Sequence, residues 1–567
     1  MQGMTRKWIT PPASNPAHGL CDRILEARGL TTKTQVGAFL DPKLLDLEDP
    51  SELQGATQAG EILAEAVRAK NKIVIFGDYD ADGITASTVL YHVLGAATGT
   101  EGPAIYIPDR IDEGYGIRVE AVERFAEQGV DVVITVDCGI TAIEAAKRAK
   151  ELGITLIITD HHRPREDGEL PDCAAIVHPG LVENPKTLFA GVGVAYQVAW
   201  AFARVWSESQ TVNTRLKQAL LDMIPIVAVG TIADMVPLQK GNRIFARWGL
   251  KLLPSTANHG LQAIMKEIDT PKVKLNASHV SFGIAPLINA VGRLSQAAQA
   301  VDLLTRLDGK LATGAAKNLV TCNRKRQKIQ REIIASALEQ YETSELRETP
   351  IVILSDEQWE RGVVGVAAGK CIETNYKPTI LLSGNGDELV GSARSISGFS
   401  IFEALCACQE HLISFGGHDM AAGLSLKKEE FDAFVAAMTG YAKKHITPEM
   451  LRATAKPDVI ADLHEITKAT ALEIEKIGPF GIGNPAPVVQ IAGAKIVEVS
   501  AMGKEGGHLS MRVGNKRLRC IWWGQGKCID RLHAGTTIDF VGKIKVNEFR
   551  GNITAEIYII DIALPSS

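Results

Sequence analysis

Short apolar runs that end in acidic residues recur along the first half of the chain. Residues 73–77 form the first run, which stops at three carboxylates spaced two apart, Asp78, Asp80 and Asp82. The residues from Gly83 onward have the spacing of a helix. Because an apolar run of this length predicts a buried parallel strand, the acids are expected at the carboxyl end of that strand, the edge where open α/β sheets bind ligands.

Two similar aliphatic runs follow at helix-length intervals and end at Asp137 and Asp160. A longer apolar run, residues 224–233, favours a helix and ends at Asp234. Alternating strand and helix patterns predict a doubly wound parallel sheet, so the predicted fold class is α/β.

The second half of the chain predicts a different organisation. A heptad-like, basic pattern favours one long connecting helix, a smaller α/β unit begins near residue 350, and residues 440–480 favour helices. From about residue 488, short alternating strands with Gly-rich turns predict a small β-barrel. The predicted domains are an N-terminal segment (1–50), a sheet domain (51–300), the connecting helix (301–345), the smaller α/β domain (346–445), and a helical linker with the barrel (446–567).

The length of 567 residues predicts roughly three or four domains. Hydrophobic residues make up 46% of the chain and charged residues 22%, as in ordinary soluble proteins. The N-terminus lacks an apolar core of signal-peptide length, and no run reaches the roughly 18 uncharged residues of a membrane span, so a cytoplasmic location is expected. Nine cysteines without a Cys-x-x-Cys pair argue against a disulfide framework and a zinc ribbon.

Positive charge is concentrated in two regions, although the net charge of the chain is −5. Residues 317–331 contain six basic residues and no acid. From residue 495 to the end there are eleven Lys and Arg against seven Asp and Glu. The C-terminal part is therefore the better candidate for contact with a polyanion.

Asp160 is followed directly by His161 and His162, which predicts one carboxylate and two imidazoles at the same sheet edge as the earlier acids. Such acids repel one another unless cations neutralise them, and mixed carboxylate and imidazole ligation suits Mn²⁺ or Mg²⁺. Two ions would require one bridging carboxylate, for which Asp137 is the candidate. The alternative is an acidic turn in which Asp78 caps the following helix.

Cations and aromatic side chains are interleaved in the predicted barrel, as on surfaces that bind single-stranded nucleic acid. The residues are Lys516, Arg517, Arg519, Trp522, Trp523, Lys543, Lys545, Phe549 and Arg550. Because neighbouring side chains of a strand point to opposite faces, one of the two adjacent tryptophans must face inward. Trp523 is retained as the candidate for stacking on bases.

The motifs described above resemble those of a known superfamily. The chain contains Gly-Asp78-Tyr-Asp80-Ala-Asp82-Gly, Thr-Val-Asp137-Cys-Gly, Thr-Asp160-His161-His162 and Ala-Asp234. These segments resemble the four motifs of the DHH phosphoesterase superfamily. Further segments resemble the bacterial RecJ single-strand-specific exonucleases, and they are Tyr106-Ile-Pro-Asp-Arg110, Glu113-Gly-Tyr-Gly116, Asn289-Ala-Val-Gly-Arg293, Gly391-Ser392-Ala-Arg394-Ser395, Gly416-Gly-His418 with Ala421-Ala-Gly423, and Pro479-Phe-Gly-Ile-Gly-Asn-Pro485.

The resemblance implies a DHH domain, a long helix, a DHHA1 domain and an OB-fold. It also implies the metal ligands Asp80, Asp82, Asp137, His161 and Asp234, with Asp137 bridging two ions. Asp78 is a further candidate ligand. His162 would contact the scissile phosphate as a general acid, and Asp160 would orient the imidazoles. Phosphate contacts are implied for Ser392, Arg394 and His418, with Arg110 and Arg293 as further candidates.

Three positions depart from the pattern of many relatives. Phe76 stands where many have a histidine ligand, Leu287 replaces an expected arginine, and Glu360 replaces a histidine. At Phe76 the first metal loses a ligand unless Asp78 or water replaces it. The core set of metal ligands is retained, and the changes at Leu287 and Glu360 bear on how the substrate is held.

The resemblance implies a two-metal exonuclease that degrades single-stranded DNA from the 5′ end to 5′-mononucleotides, in DNA repair and recombination. It would act as a monomer, with a helicase and a single-stranded-DNA-binding protein as possible partners. One alternative is a DHH phosphodiesterase for oligoribonucleotides or cyclic dinucleotides, which would not need the extra barrel. A DNA-binding scaffold with a decayed metal site is the other alternative, against which the intact ligand set argues.

Overall fold

The structure is a computed structural model that describes residues 1–109, 113–209, 211–270, 275–293, 297–343 and 345–564. The chain divides into two compact units. The first unit comprises Gly37–Arg324 and Ile477–Ala486. The second unit comprises Met1–Val36, Lys325–Lys476 and Pro487–Ser567.

Helices and strands are numbered separately in chain order. The strands are β1 Lys7–Trp8, β2 Ile73–Gly77, β3 Ala104–Tyr106, β4 Val132–Val136, β5 Thr155–Thr159, β6 Ala175–Val177, β7 Val352–Asp356, β8 Thr379–Asn385, β9 Glu388–Arg394, β10 Ser414–His418, β11 Ala421–Lys427, β12 Thr454–Ala455, β13 Val459–Ile460, β14 Val488–Met502, β15 His508–Val513, β16 Leu518–Trp522, β17 Thr537–Phe549 and β18 Asn552–Ala563. The helices are α1 Leu20–Ala27, α2 Lys33–Leu40, α3 Ala56–Ala69, α4 Ala81–Thr98, α5 Val119–Glu127, α6 Ile143–Glu151, α7 Gly191–Trp206, α8 Thr214–Ala233, α9 Lys240–Leu252, α10 His259–Glu267, α11 Ala277–His279, α12 Ala285–Arg293, α13 Ala298–Thr305, α14 Gly309–Thr343, α15 Val364–Asn375, α16 Ile401–Ala407, α17 Phe431–His445 and α18 Lys468–Ile477.

The first unit is built on a parallel sheet with strand order β3-β2-β4-β5-β6. Helices α3, α4, α7 and α8 contribute to the core on one face, and α5 and α6 cover the other. Because both faces are covered, the central strands are apolar along their length, which explains the continuous runs in the sequence. The parallel-sheet prediction is confirmed.

The second unit contains a mixed sheet with strand order β10-β11-β9-β8-β7, in which only β7 and β8 pair in parallel. The C-terminal part of the long helix α14 packs with α15 on one face of this sheet, and α16 and α17 pack on the other. This arrangement confirms the predicted smaller α/β domain that follows a long helix.

The C-terminal strands of the second unit form a barrel. Strands β14, β15, β16, β18 and β17 pair in that order, and β17 pairs again with β14 to close it. The predicted OB-fold is confirmed.

The predicted helical stretch over residues 440–480 is only partly correct. Helix α17 ends at His445, and α18 begins at Lys468. The short strands β12 and β13 lie between them and pair with β1 and β14. Pro448 and Pro457 disfavour a continuous helix here, and pairing with strands distant in sequence decides the outcome.

Among the described helices, α8 is long and apolar enough to cross a membrane, but 67% of its most apolar stretch is buried inside the protein. Such burial is that of a core helix.

Candidate metal centre and nucleic-acid surfaces

The acidic motifs of the first unit meet at one edge of its sheet. Strands β2, β4 and β5 end directly before Asp78, Asp137 and Asp160. Adjacent strands are about 4.8 Å apart, so parallel pairing brings the residues that follow them into one cluster. Asp234 joins the cluster from the end of α8, where it is the C-terminal capping residue.

Two of the motif carboxylates are held by backbone N–H groups at helix starts. Asp80 caps α4, and its Oδ1 accepts the N–H groups of Asp82 and Gly83 at 2.8 and 3.1 Å. The cap is therefore Asp80, whereas the acidic-turn alternative assigned this role to Asp78. The buried Asp82 carboxylate accepts the N–H groups of Gly191 and Val192 at the start of α7, at 2.6 and 2.9 Å.

Gly191 is required where α7 meets the cluster. A methyl group at this position would lie 2.5 Å from Asp137 Oδ1. The glycine thus allows the helix start to approach both Asp82 and Asp137.

His161 lies at the centre of the cluster. Its Nε2 is 3.0 Å from Asp137 Oδ1, 3.8 Å from Asp82 Oδ2 and 3.6 Å from Asp234 Oδ2. Burial and the neighbouring His162 lower the pKa of His161 to about 3, so its imidazole is neutral, as a metal ligand must be.

The polar atoms of this cluster fit a divalent cation. Among the described residues, Asp137 Oδ1, His161 Nε2 and Asp234 Oδ2 are buried and have no hydrogen bond of acceptable geometry. Burial and mutual repulsion raise the pKa values of Asp82, Asp137 and Asp234. A bound cation would satisfy the orphaned atoms and remove the repulsion.

The potential ligand atoms form overlapping groups of three. One group contains Asp82, His161 and Asp234, and a second contains Asp78, Asp80 and Asp137, with the atoms of each group within 4.8 Å of one another. Asp137 also groups with His161 and His162. Asp137 is therefore the carboxylate that adjoins both halves of the cluster.

His162 is oriented from one side by Asp160. The Nδ1 atom of His162 lies 2.8 Å from Asp160 Oδ1, which also accepts the N–H groups of His161 and His162. Burial lowers the pKa of His162, but the hydrogen bond to Asp160 and its charge raise it to about 9. Burial likewise opposes ionisation of Asp160, yet the contact with His162 holds its pKa at about 2. His162 is thus a cation at neutral pH.

Tyr115 was not assigned a role in the sequence analysis, although it belongs to the segment that ends at Gly116. Its hydroxyl lies 3.0 Å from His162 Nδ1 and donates to the carbonyl oxygen of Asp137 at 3.3 Å. Burial and the nearby carboxylates raise the pKa of Tyr115.

Two of the departures from the family pattern are core residues. Phe76 is 1% exposed, stacks on Tyr106 and contacts Phe125 edge-on. Leu287 is a residue of α12 whose side chain is buried in the core of the first unit. Glu360 is exposed and lies in the second unit, in the turn between β7 and α15.

Of the two further arginine candidates, Arg110 lies outside the described residues. Arg293 is the last residue of α12 and is half-buried. This helix approaches the acidic turn, because Asn289 Oδ1 accepts the N–H of Ala81 at 2.7 Å and a methyl group at Gly292 would collide with the Tyr79 carbonyl oxygen.

The second unit brings together Ser392, Arg394 and His418. Ser392 and Arg394 are two residues apart on β9 and face the side of the sheet opposite to its buried Ala393. Ala421 of β11 pairs with Arg394 on one side and with His418 on the other. Only the small alanine side chain therefore lies between Arg394 and His418 in this row of the sheet. The start of α15 approaches closely, since a methyl group at Gly365 would lie 3.0 Å from Ser392 Oγ and 3.2 Å from Arg394 Nη2.

The predicted barrel residues fall on one outer face and two adjoining turns. Trp522 is 2% exposed and fills the barrel, whereas Trp523 is 45% exposed. Outward-facing positions include Arg519, Lys543 and Lys545. Lys516 and Arg517 lie in the β15–β16 turn, and Phe549, 65% exposed, ends β17.

Aromatic neighbours of Trp523 were missed in the sequence. His508 and Tyr558 contact its ring edge-on, with centroid distances of 4.9 and 5.7 Å. Two of the cations have acidic partners, since Arg519 pairs with the buried Glu556 at 2.8 Å and Arg517 with Glu498 at 2.7 Å. His508 and Tyr558 could have been found only from strand pairing, which joins segments distant in sequence.

Comparisons with known proteins match the chain along most of its length. Residues 72–231 match the DHH family, N-terminal domain, residues 348–444 match the DHHA1 domain, and residues 457–561 match the RecJ OB domain. The single-stranded-DNA-specific exonuclease RecJ of Bacillus subtilis (strain 168) is 37% identical over 548 residues, which cover 95% of this chain and 67% of that protein. The RecJ of Haemophilus influenzae is 31% identical over 559 residues, 96% of each chain.

Solved crystal structures of RecJ proteins also have a fold similar to that of this chain. The crystal structure of RecJ in complex with Mn²⁺ from Thermus thermophilus has a TM-score of 0.81 and 28% identity, covering 99% of this chain and 80% of that one. A crystal structure of exonuclease RecJ bound to manganese has a TM-score of 0.60 and 33% identity, covering 70% of this chain and 97% of that one.

Proposed function

Because the chain belongs to the RecJ family of single-stranded-DNA-specific exonucleases, we propose that it degrades single-stranded DNA from the 5′ end to 5′-mononucleotides. It is a metal-dependent exonuclease that uses Mn²⁺ or Mg²⁺. The observation that carries the proposal is the convergence of carboxylates and one neutral imidazole, with orphaned buried ligand atoms, at the carboxyl edge of the parallel sheet.

The ligand groups support two adjoining metal positions. Asp82, His161 and Asp234 would hold one ion, Asp80 and Asp78 would hold the other, and Asp137 would bridge them. When bound, two divalent ions supply a nucleophilic water at neutral pH and stabilise the charge on the phosphoryl oxygens.

His162 is proposed as the proton donor to the leaving oxygen. Its pKa of about 9 keeps it protonated at neutral pH, and Asp160 holds the Nδ1 side so that Nε2 carries the transferable proton. Asp160 therefore acts by orientation and charge, while His162 contacts the scissile phosphate.

The β9 surface is proposed to hold the 5′ phosphate of the strand. Arg394 offers a guanidinium for bidentate contacts, Ser392 a hydroxyl, and His418 a further donor in the same row of the sheet. The N-terminus of α15 adds a favourable dipole for an anion. Arg293 and Arg110 are proposed as additional phosphate contacts.

The outer face of the barrel is proposed to bind the strand beyond the reacting end. Trp523 would stack on a base, and Lys543, Lys545 and Arg519 would contact phosphates. Phe549 offers a second exposed ring, and Lys516 and Arg517 place two cations in an adjoining turn. Long substrates would thereby be retained between successive cleavages.

The biological setting and the domain limits are proposals as well. We propose a cytoplasmic role in DNA repair and recombination, for a monomer that cooperates with a helicase and a single-stranded-DNA-binding protein. The domain limits proposed from the sequence are 1–50, 51–300, 301–345, 346–445 and 446–567.

A digestion assay tests the proposal. Single strands labelled at the 5′ or the 3′ end, a duplex and a dinucleotide are incubated with Mn²⁺ or Mg²⁺ and the wild type or Asp137→Ala. We expect the 5′ label to be released at once as a mononucleotide and the 3′ label to remain on shortening strands, with no cleavage by Asp137→Ala. Asp172→Asn, an exposed carboxylate paired with Lys150, is the control. Cleavage of the dinucleotide with long strands left whole would overturn the proposal.

A further inference from the structure

A buried histidine lies behind His162 and has no assigned role. His178 directly follows β6, at the same sheet edge as the residues after β2, β4 and β5. It is 2% exposed, and its Nε2 lies 2.7 Å from the carbonyl oxygen of His162.

The hydrogen bonds of His178 fix its tautomer. The backbone N–H of Gly180 donates to His178 Nδ1 at 3.0 Å, so that nitrogen carries no proton. Nε2 therefore carries the proton and donates it to the His162 carbonyl oxygen. The His178 side chain therefore accepts a hydrogen bond from the turn after β6 and donates one to the backbone of His162.

The segment from Asp160 to His162 is held at several points along its backbone. The N–H of Asp160 donates to the Val177 carbonyl oxygen at 3.1 Å, as a continuation of the β5–β6 ladder. The N–H of His162 donates to the Asp160 carboxylate at 3.0 Å. His178 adds the contact to the carbonyl oxygen, which no strand supplies because β5 has ended.

We propose that His178 is a positioning residue that holds the backbone of His162, so that the His162 imidazole stays aligned with the scissile phosphate. The inference rests on the proposed role of His162. Small displacements of a catalytic group slow a reaction strongly without altering substrate affinity, and the outer partners of metal-site residues typically contribute about 10- to 100-fold. His178 would therefore affect kcat while the KM for DNA stays unchanged.

Two substitutions separate the two hydrogen bonds of His178. Gln places an N–H close to the position of Nε2 and keeps the donor to His162, whereas Asn places an oxygen close to the position of Nδ1 and keeps the acceptor for Gly180. We expect H178A and H178N to lower kcat about 10- to 100-fold at unchanged KM, and H178Q to restore most of it. The melting temperatures should not follow the order of the kcat values. H178N should melt closer to the wild type than H178Q, because it keeps the acceptor for the Gly180 N–H in the turn after β6.

His92 provides a matched control in the same unit. Its Nε2 contacts the Leu304 carbonyl oxygen at 2.9 Å, and its ring packs edge-on against Tyr91. H92A should lower the melting temperature and leave kcat at the wild-type value. Wild-type kcat in H178N, or equal losses in H178Q and H178N, would overturn the role of His178. Wild-type kcat in H162A would instead overturn the proposed role of His162.

Discussion

Asp160 Oδ1 lies 2.8 Å from His162 Nδ1, and this contact sets the charge of the imidazole. Burial alone would lower the pKa of His162, but Asp160 raises it to about 9. The proposed acid therefore remains protonated throughout the neutral range.

Replacement of Asp160 with Asn tests this relationship, because it keeps an acceptor oxygen and removes the charge. We expect the pKa of His162 to fall below 9, so that the acid form is lost at lower pH and the alkaline limb of kcat shifts in that direction. The measurement is kcat against pH at saturating DNA and metal. Asp172→Asn should leave the profile in place, and an unshifted limb in Asp160→Asn would contradict the assignment.

Removal of the metal should make the stability of the protein fall as pH rises. Burial and mutual repulsion raise the pKa values of Asp82, Asp137 and Asp234, so the metal-free folded state binds more protons than the unfolded state. The free energy of unfolding then decreases as pH rises above the ordinary Asp pKa of about 4 toward the raised values.

Thermal melts with a chelator or with excess Mn²⁺ check this sign. We expect the chelated protein to lose melting temperature progressively from weakly acidic to weakly alkaline pH, and Mn²⁺ to remove most of that loss. Calorimetry in buffers of different ionisation enthalpy should also detect protons released on Mn²⁺ binding near neutral pH. Parallel pH dependence with and without Mn²⁺ would exclude these carboxylates as ligands.

Substitution of Trp523 should weaken the binding of single-stranded DNA. The side chain is 45% exposed between His508 and Tyr558, and loss of one stacked base costs about 1–3 kcal/mol. Anisotropy of a labelled oligothymidylate should report this loss for Trp523→Ala and little change for Trp523→Phe. Ile413→Ala removes another exposed apolar side chain of the second unit as a control.

Asp561 should be a main determinant of N-terminal order. Its fully buried carboxylate accepts both the N–H and the hydroxyl of Thr5, the N–H of Arg6 and Trp8 Nε1, at 2.8–3.0 Å. Asp561→Ala leaves these donors unsatisfied, and we expect a loss of roughly 2–3 kcal/mol in stability. Faster hydrogen exchange at Thr5 and Arg6 would localise the effect, and Asp530→Asn serves as an exposed control.

The strands and helices that have a regular local hydrophobic pattern were predictable from the sequence. Largely aliphatic runs without charged residues indicated strands covered on both faces, and β2, β4 and β5 end directly before the expected aspartates. The clustering of Asp78, Asp137 and Asp160 was predictable for the same reason, since parallel strands bring their carboxyl ends together.

Contacts between distant segments were not predictable from these patterns. His178 has no periodic signal, and its link to His162 depends on the pairing of β5 with β6. The hydrogen bonds from the N-terminal segment to Asp561 join residues about 550 positions apart. Tyr558 reaches Trp523 only because β16 pairs with β18. In each case strand register decides the contact, and register is set by the whole sheet.

The contrast between Phe76 and Asp78 yields the last prediction. Phe76 faces the aromatic cluster with Tyr106 and Phe125, whereas the carboxylate of Asp78 groups with those of Asp80 and Asp137. A histidine at position 76 would bury an imidazole among aromatic rings, so we expect Phe76→His to lower the melting temperature without tightening Mn²⁺ binding.

Asp78→Asn should have the opposite profile, because it removes one negative charge from the group that would hold an ion. We expect Mn²⁺ affinity to fall about tenfold or more while the melting temperature of the metal-free protein is maintained or rises, since repulsion with the neighbouring carboxylates is relieved. Calorimetric Mn²⁺ titrations of both variants, with Asp172→Asn as control, separate the two positions. Unchanged affinity in Asp78→Asn would remove Asp78 from the site, and tighter binding in Phe76→His would mean that the strand can turn this side chain toward the metals.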